Sequence, residues 1–345
     1  MSARIEFRSD NASGVADEIL AAVAAANTGS ALAYGGDDWT RRLQQRVAEV
    51  FEHPDVTVFP VVSGTAANAL ALAALCPPWG AVLGHETAHI IRSECGATSM
   101  FAGGAVLRGV PGAGSQVTAS TLEAAFATTN WGDPHHSQPS VLSLTCPTDM
   151  GALYRPEEVS ALARQAKGRG LRVHLDGARI ANAIAALGCS PADLTWRAGV
   201  DVLSLGATKN GALSTDAIVC FDREAAAQLV YRLKRAGHVA SKMRFQSVQL
   251  EAYLTDSLWL RLAANANSSM ARLASGLVAA GVELIDLPEV NMVYARIGDA
   301  VASNLEAQGL DFYRMGNGTI RLVTSFKTTN DEIDRAVRAF AAAIA

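Results

Sequence analysis

The chain has 345 residues, half of them hydrophobic and 18% charged, with 29 glycines; this composition suits a soluble α/β protein and excludes a disordered or fibrous one. A formal net charge of −4 leaves no basic footprint, so nucleic acid is excluded as an expected partner. The five cysteines, Cys76, Cys95, Cys146, Cys189 and Cys220, are scattered and include no CxxC pair, so neither a disulfide framework nor a zinc site is implied and a reducing cytoplasm is expected.

The opening residues, "MSARIEFRSD", alternate charged and apolar positions and lack the apolar core of a signal peptide. Val56 to Gly84 carries no formal charge, over more than the roughly 20 residues that a bilayer needs. Pro60, Gly64, Pro77 and Pro78 divide it into a short strand and a helix of about a dozen residues, too short to cross, so no membrane span is expected.

From Thr57 to Phe221, β-branched runs alternate with alanine- and leucine-rich helical stretches. The candidate strands are "TVFPVV", "AVLG", "AVLR", "SVLSLT", "RVHLD", "VDVLSLG" and "AIVCF"; the helices are "TAANALALAALC", "RPEEVSALARQAKGRG" and "ARIANAIAALG". This order predicts a mainly parallel sheet covered by helices on both faces. After Met243 a long helical region, Gln246 to Ala280, precedes "VELID", "NMVYARIG", a helix, "TIRLVTSF" and a closing helix from Thr329. The expected organisation is an N-terminal segment, 1–15, a large domain, 16–249, and a small C-terminal α+β domain, 250–345.

Ligands of parallel α/β sheets bind beyond the carboxyl ends of the strands, and four such junctions stand out. Ser63-Gly64-Thr65 follows "TVFPVV" and opens a helix; its free N–H groups suit an anion, although Ser63 or Thr65 could equally serve as a simple helix cap. "HETAH" follows "AVLG" and places His85 and His89 four apart. This matches the letters of a zinc-binding helix, but the strand and turn before it argue against that context; an imidazole here could instead lie on a planar ligand, or be an ordinary loop histidine. Asp176 ends "RVHLD" and could cap the next helix or pair with a buried cationic nitrogen, while Arg179 offers a fork for a carboxylate. Lys209 follows "VDVLSLG" among small neutral residues; desolvation lowers the pKa of such an amine and fits it for Schiff-base chemistry. The four together describe a planar ring bearing a phosphate, a basic nitrogen and an aldehyde. That ligand is pyridoxal 5'-phosphate, and it makes the large domain the cofactor-binding one.

These residues lie in a chain that resembles the low-specificity L-threonine aldolases, fold-type I pyridoxal phosphate enzymes, and within them the branch that includes L-phenylserine aldolase. The resemblance rests on "RSDN", "AYGGDDWT", "VSGTAANAL", "HETAHIIRSECGA", "HLDGARIANAIAALGCSPADLTWRAGVDVLSLGATKNGA", "KRAGHVASKMRFQS" and "IRLVTSF". It implies that Lys209 is the Schiff-base lysine, Asp176 the partner of the pyridine nitrogen and His89 the stacking imidazole. Ser63, Gly64, Thr65 and Thr208 would line the cofactor site, with Arg244 and Arg235 reaching the phosphate from a neighbouring subunit. Ser9, Arg179 and Arg321 would take the substrate carboxylate. His135, in "DPHH", would take the β-hydroxyl proton, with His89 as competitor and His136 one residue away.

The implied reaction is retro-aldol cleavage of L-threonine, L-allo-threonine or L-phenylserine to glycine and an aldehyde, in a homodimer or homotetramer with sites at subunit interfaces. The same cofactor and lysine would also serve β-elimination or transamination, and a silent cofactor-binding protein would carry the same fold.

Overall fold

The computed structural model describes residues 4–344. Its strands are β1 (Ile5–Glu6), β2 (Thr57–Val61), β3 (Gly80–His85), β4 (Val106–Val110), β5 (Gln138–Thr145), β6 (Arg172–Gly177), β7 (Val202–Leu205), β8 (Asp216–Cys220), β9 (Glu283–Leu284), β10 (Met292–Arg296), β11 (Leu310–Asp311), β12 (Tyr313–Gly316) and β13 (Thr319–Val323). All seven stretches read as strands between residues 57 and 221 form one sheet, in the order β2-β8-β7-β6-β5-β3-β4.

Only β8 in that sheet runs against its neighbours. The ten residues 206–215 that join β7 to β8 are fewer than a parallel crossover needs, so the chain folds back. Strands β3, β7 and β8 are buried along their whole length, as expected of a sheet covered on both faces. Pro60 lies on β2, an edge strand, where the missing N–H is tolerated. The uncharged stretch 56–84 becomes β2, the helix Gly64–Leu75 and β3. No helix among the described residues is long and apolar enough to cross a membrane.

The helical region after Met243 consists of two helices, Arg244–Leu254 and Leu258–Ala279. Between them Asp256 and Ser257 have φ of 49° and 54°, and the Thr255 hydroxyl donates to the Glu251 carbonyl oxygen at 2.7 Å. Short polar side chains that bond the local backbone compete with a continuing helix. The second helix serves two cores. Leu258, Trp259 and Leu262 pack with the large sheet's core, whereas Met270, Leu273 and Leu277 pack with Ile5, Phe7, Val293, Leu322 and Phe340. The N-terminal strand thus lies in the smaller core: β1 pairs with β11, and Val323 donates its N–H to the Phe7 carbonyl. The smaller sheet, β12-β13-β10-β9, is antiparallel.

One glycine fixes the approach of two strand ends. A Cβ on Gly206 would stand 2.1 Å from the Ala178 carbonyl oxygen, so only glycine lets the chain leaving β7 press against the chain leaving β6. The Gly206 N–H donates to the Gly177 carbonyl there.

Candidate active site

A cavity of about 260 Å³ lies beyond the carboxyl ends of β2, β5, β6 and β7. Ser63, Gly64, Thr65, His89, Asp176, Arg179, Thr208 and Lys209 all line it.

Lys209 sits in a single 3-10 turn, Thr208–Asn210. Asp216 accepts from the amides of Ala207 and Thr208 at 2.7 and 3.0 Å, and the Thr208 hydroxyl donates to the Thr215 carbonyl. Asn210 donates to the Tyr253 hydroxyl and the Trp259 carbonyl. The turn that carries the lysine is therefore tied down on both sides, whereas no described residue bonds its Nζ. Burial, reinforced by the positive charge of Arg179, lowers the Lys209 pKa; Asp10, Asp176 and Asp216 pull the other way without reversing this. A larger neutral fraction makes the amine a better nucleophile.

Asp176, 2% exposed, does not cap a helix: the next helix begins at Ile180 with Arg179 at its cap position. Its two oxygens accept from the Ala178 amide at 3.0 Å and from Asn68 Nδ2 at 2.9 Å. The same Asn68 nitrogen donates to Glu94 Oε1 at 2.9 Å, and that oxygen also accepts from His89 Nδ1 at 2.8 Å. The hydrogen bond that His89 donates to Glu94 raises the His89 pKa against the opposing effect of burial. Below Asp176, His174 bridges the Ser143 and Ser204 hydroxyls at 2.9 Å each; burial drives its pKa down to about 4, so it is neutral.

Arg179 is locked by Asp10, which accepts from its Nε at 2.6 Å and its Nη2 at 3.0 Å. Burial pushes the Asp10 carboxyl up, but Arg179 holds it below its ordinary value. The guanidinium is thereby aimed, and its Nη1 edge is left free of this pairing.

Ser63 does cap the helix Gly64–Leu75, accepting from the Ala66 amide. The amides of Gly64 and Thr65, the first two of that helix, have no acceptor among the described residues, which is the anion-binding arrangement. The cap therefore leaves these two amides available, and one role does not exclude the other.

His85 and His89 share no helix. His85 ends β3, and its ring bonds Thr87 Oγ1 and the Gly112 carbonyl oxygen, so the four-residue spacing places no two imidazoles on one face.

His135 does not line this chain's cavity. It is exposed and precedes β5, and the eight residues of that strand carry the chain about 23 Å before it reaches the site at Thr145. Parallel strands gather their carboxyl ends on one side, so a residue ahead of β5 belongs to the other. His136 is there too, bonded to Asp133.

Ser9 and Arg321 do not line the cavity. Ser9 caps the turn that carries Asp10 and accepts from the Asn11 amide. Arg321 donates to the Arg8 carbonyl, with its guanidinium 5.0 Å from the centre of the Tyr313 ring. Arg235 and Arg244 also lie outside this chain's cavity; Arg244 donates to the Thr28 carbonyl.

Asn68, Glu94, Asp10 and Asp149 were missed by sequence reasoning. Asn68 had a signal, since it is the lone amide in an alanine-rich helix. Asp149 had another, as it follows a fifth strand end, "SVLSLT". Asp10 and Glu94 had none strong enough to single them out.

Residues 6–300 match the family model described as beta-eliminating lyase. A low specificity L-threonine aldolase from Pseudomonas sp. (strain NCIMB 10558) is 43% identical over 94% of this chain and 93% of its own length. A second, from Pseudomonas aeruginosa, is 42% identical over 96% of each. The chain belongs to the low-specificity L-threonine aldolases, within the beta-eliminating lyase family. Among solved structures, a threonine aldolase from Leishmania major superposes with a TM-score of 0.92 at 26% identity, covering 98% of this chain and 99% of that one. This aldolase family member is a lyase of fold type I, and its cofactor is pyridoxal phosphate. The cavity fits that group on its own chemistry: an unpartnered amine, a pair of free helix-terminal amides, a buried carboxylate and a ring nitrogen-bearing side chain line one space.

Proposed function

We propose that the chain cleaves L-threonine, L-allo-threonine and L-phenylserine between Cα and Cβ, giving glycine and an aldehyde. The observation that carries this reading is the Nζ of Lys209, buried without a partner in the same cavity as Asp176, in a chain 43% identical to a low specificity L-threonine aldolase.

Lys209, Asp176, His89, Thr208 and the Ser63-Gly64-Thr65 turn hold the cofactor. Bound pyridoxal phosphate supplies an electron sink for the pair left on Cα when the bond breaks. Arg179, aimed by Asp10, binds the substrate carboxylate; Arg321 and Ser9, which do not line the cavity, are assigned to the same carboxylate on the family resemblance alone. Asn68 and Ala178 donate to the two oxygens of Asp176 and fix the orientation of its carboxyl group. Lys209, once free, returns a proton to Cα.

Arg235 and Arg244 belong to a surface that also carries Tyr34, whose N–H donates to the Ser241 carbonyl and whose ring takes Lys234 at 4.8 Å. We assign this surface to the phosphate end of a neighbouring subunit's site in a homodimer or homotetramer. Exposed Val62 at the cavity mouth, with Leu32 and Leu213 also exposed, supports an interface. The five cysteines are all free, which suits a reducing cytoplasm.

The test is a spectrum of the purified protein with its cofactor, alongside Lys209→Ala. Wild type is expected to show a borohydride-reducible visible absorbance and to release glycine from the three substrates, and the variant to do neither. A variant that retains the absorbance overturns the assignment of Lys209.

A further inference from the structure

Four carboxylates line the cavity: Glu94, Asp149, Asp176 and Asp216. Three have assigned donors. Asp176 takes Asn68 and the Ala178 amide, Glu94 takes Asn68 and His89, and Asp216 takes the amides of Ala207 and Thr208. Asp149 accepts no side-chain or backbone donor on its carboxylate among the described residues. Its backbone is nevertheless fixed, because Tyr294 donates its hydroxyl to the Asp149 carbonyl oxygen at 2.9 Å. Thr148 beside it accepts from the amides of Gly151 and Ala152 and donates to the Gly114 carbonyl. A rigid turn thus holds the one cavity carboxylate that accepts no donor on either oxygen among the described residues.

We propose that Asp149 takes the proton of the substrate's β-hydroxyl group. The competing group in the cavity, His89, has its Nδ1 committed to Glu94, and that bond favours the protonated ring. Asp149 is displaced in the useful direction: burial and the neighbouring Asp176 charge raise its pKa, with His89, Arg179 and Lys209 opposing, and Tyr294 is the remaining titratable neighbour. A base whose pKa rises toward the working pH accepts a proton more effectively. In the step, Asp149 takes the hydroxyl proton and the O–H pair becomes the carbonyl π bond of the leaving aldehyde. The Cα–Cβ pair stays on Cα, which regains a proton as glycine. One proton leaves and one returns, so no outside oxidant or reductant is needed.

This inference rests on the aldolase reading and is tested in the holoenzyme with Asp149→Asn, comparing two reactions. Cleavage of L-threonine or L-phenylserine needs the hydroxyl proton removed; exchange of the glycine α-proton with deuterated water does not. The expected result is a fall in kcat for cleavage of about 10²–10⁴-fold. Glycine exchange should stay within about threefold of wild type, with cofactor absorbance unchanged. Cleavage that survives, or cleavage and exchange falling together, overturns the role of Asp149. A wild type that yields no glycine from either substrate overturns the aldolase reading itself. Wild type also supplies a measurement independent of the variant's folding: kcat/KM for cleavage should fall as acid protonates Asp149, in a limb absent from glycine exchange. The same acid limb in both reactions also overturns the assignment.

Discussion

Replacing Asn68 with leucine keeps the side chain's bulk and removes both of its 2.9 Å bonds, to Asp176 and to Glu94. Hydrogen bonds to charged acceptors contribute about 1.5–3 kcal/mol each, giving an upper bound of about 3–6 kcal/mol. Asp176 keeps the Ala178 amide and Glu94 keeps His89, so neither acid is left without a donor. The expected loss of stability in the cofactor-free protein is therefore about 2–4 kcal/mol near neutral pH. Cofactor binding should weaken as well, since Asp176 loses one of the two donors that fix it. Denaturant unfolding of the cofactor-free protein and a cofactor titration followed by absorbance measure both effects. A deficit below about 0.5 kcal/mol, the usual range for a neutral surface change, would refute the bridging role of Asn68.

Two further substitutions probe the frame around the site. Asp10→Ala leaves the buried Arg179 guanidinium without its bidentate partner; the expected cost is about 3–5 kcal/mol, with KM for the amino acid rising as the guanidinium loses its aim, and urea unfolding with steady-state kinetics reads both. Gly206→Ala drives a methyl group to 2.1 Å from the Ala178 carbonyl, so thermal unfolding should show a loss above about 4 kcal/mol, with weakened cofactor retention because the β6 and β7 ends must separate.

The sheet was legible because its strands are short β-branched runs between glycines and prolines, and because ligand sites collect at carboxyl ends. That rule found Ser63-Gly64-Thr65, Asp176 and Lys209, and applied to "SVLSLT" it would have reached Asp149. The role expected of His135 came from resemblance alone, and the direction of β5 sets it apart from this chain's own cavity. Tyr313–Gly316 is exposed throughout and so carries no burial alternation for a sequence reading to detect. The Asp10–Arg179 pair joins residues 169 apart, which no local pattern encodes. The break at Asp256 and Ser257 is subtler, since Thr-Asp-Ser is compatible with both a helix and its interruption.

The lysine that stands alone in "SLGATKNGA" is isolated only in sequence. In space Asp10, Asp176 and Asp216 all act on it, and burial with Arg179 still lowers its pKa. The carboxylates do not prevail because each has another donor: Asp10 is matched by Arg179 and Asn291, Asp176 by Asn68, and Asp216 by two backbone amides. These pairings hold the acids in place while leaving Nζ without a hydrogen-bonded counterion. Removing one donor should therefore act at a distance, since an acid released from its partner becomes available to Lys209. Asn68→Leu is expected to show this as a change in the pH at which the bound cofactor's absorbance titrates, separately from any loss of stability. An unchanged titration in a correctly folded variant would mean that burial alone sets the lysine's reactivity.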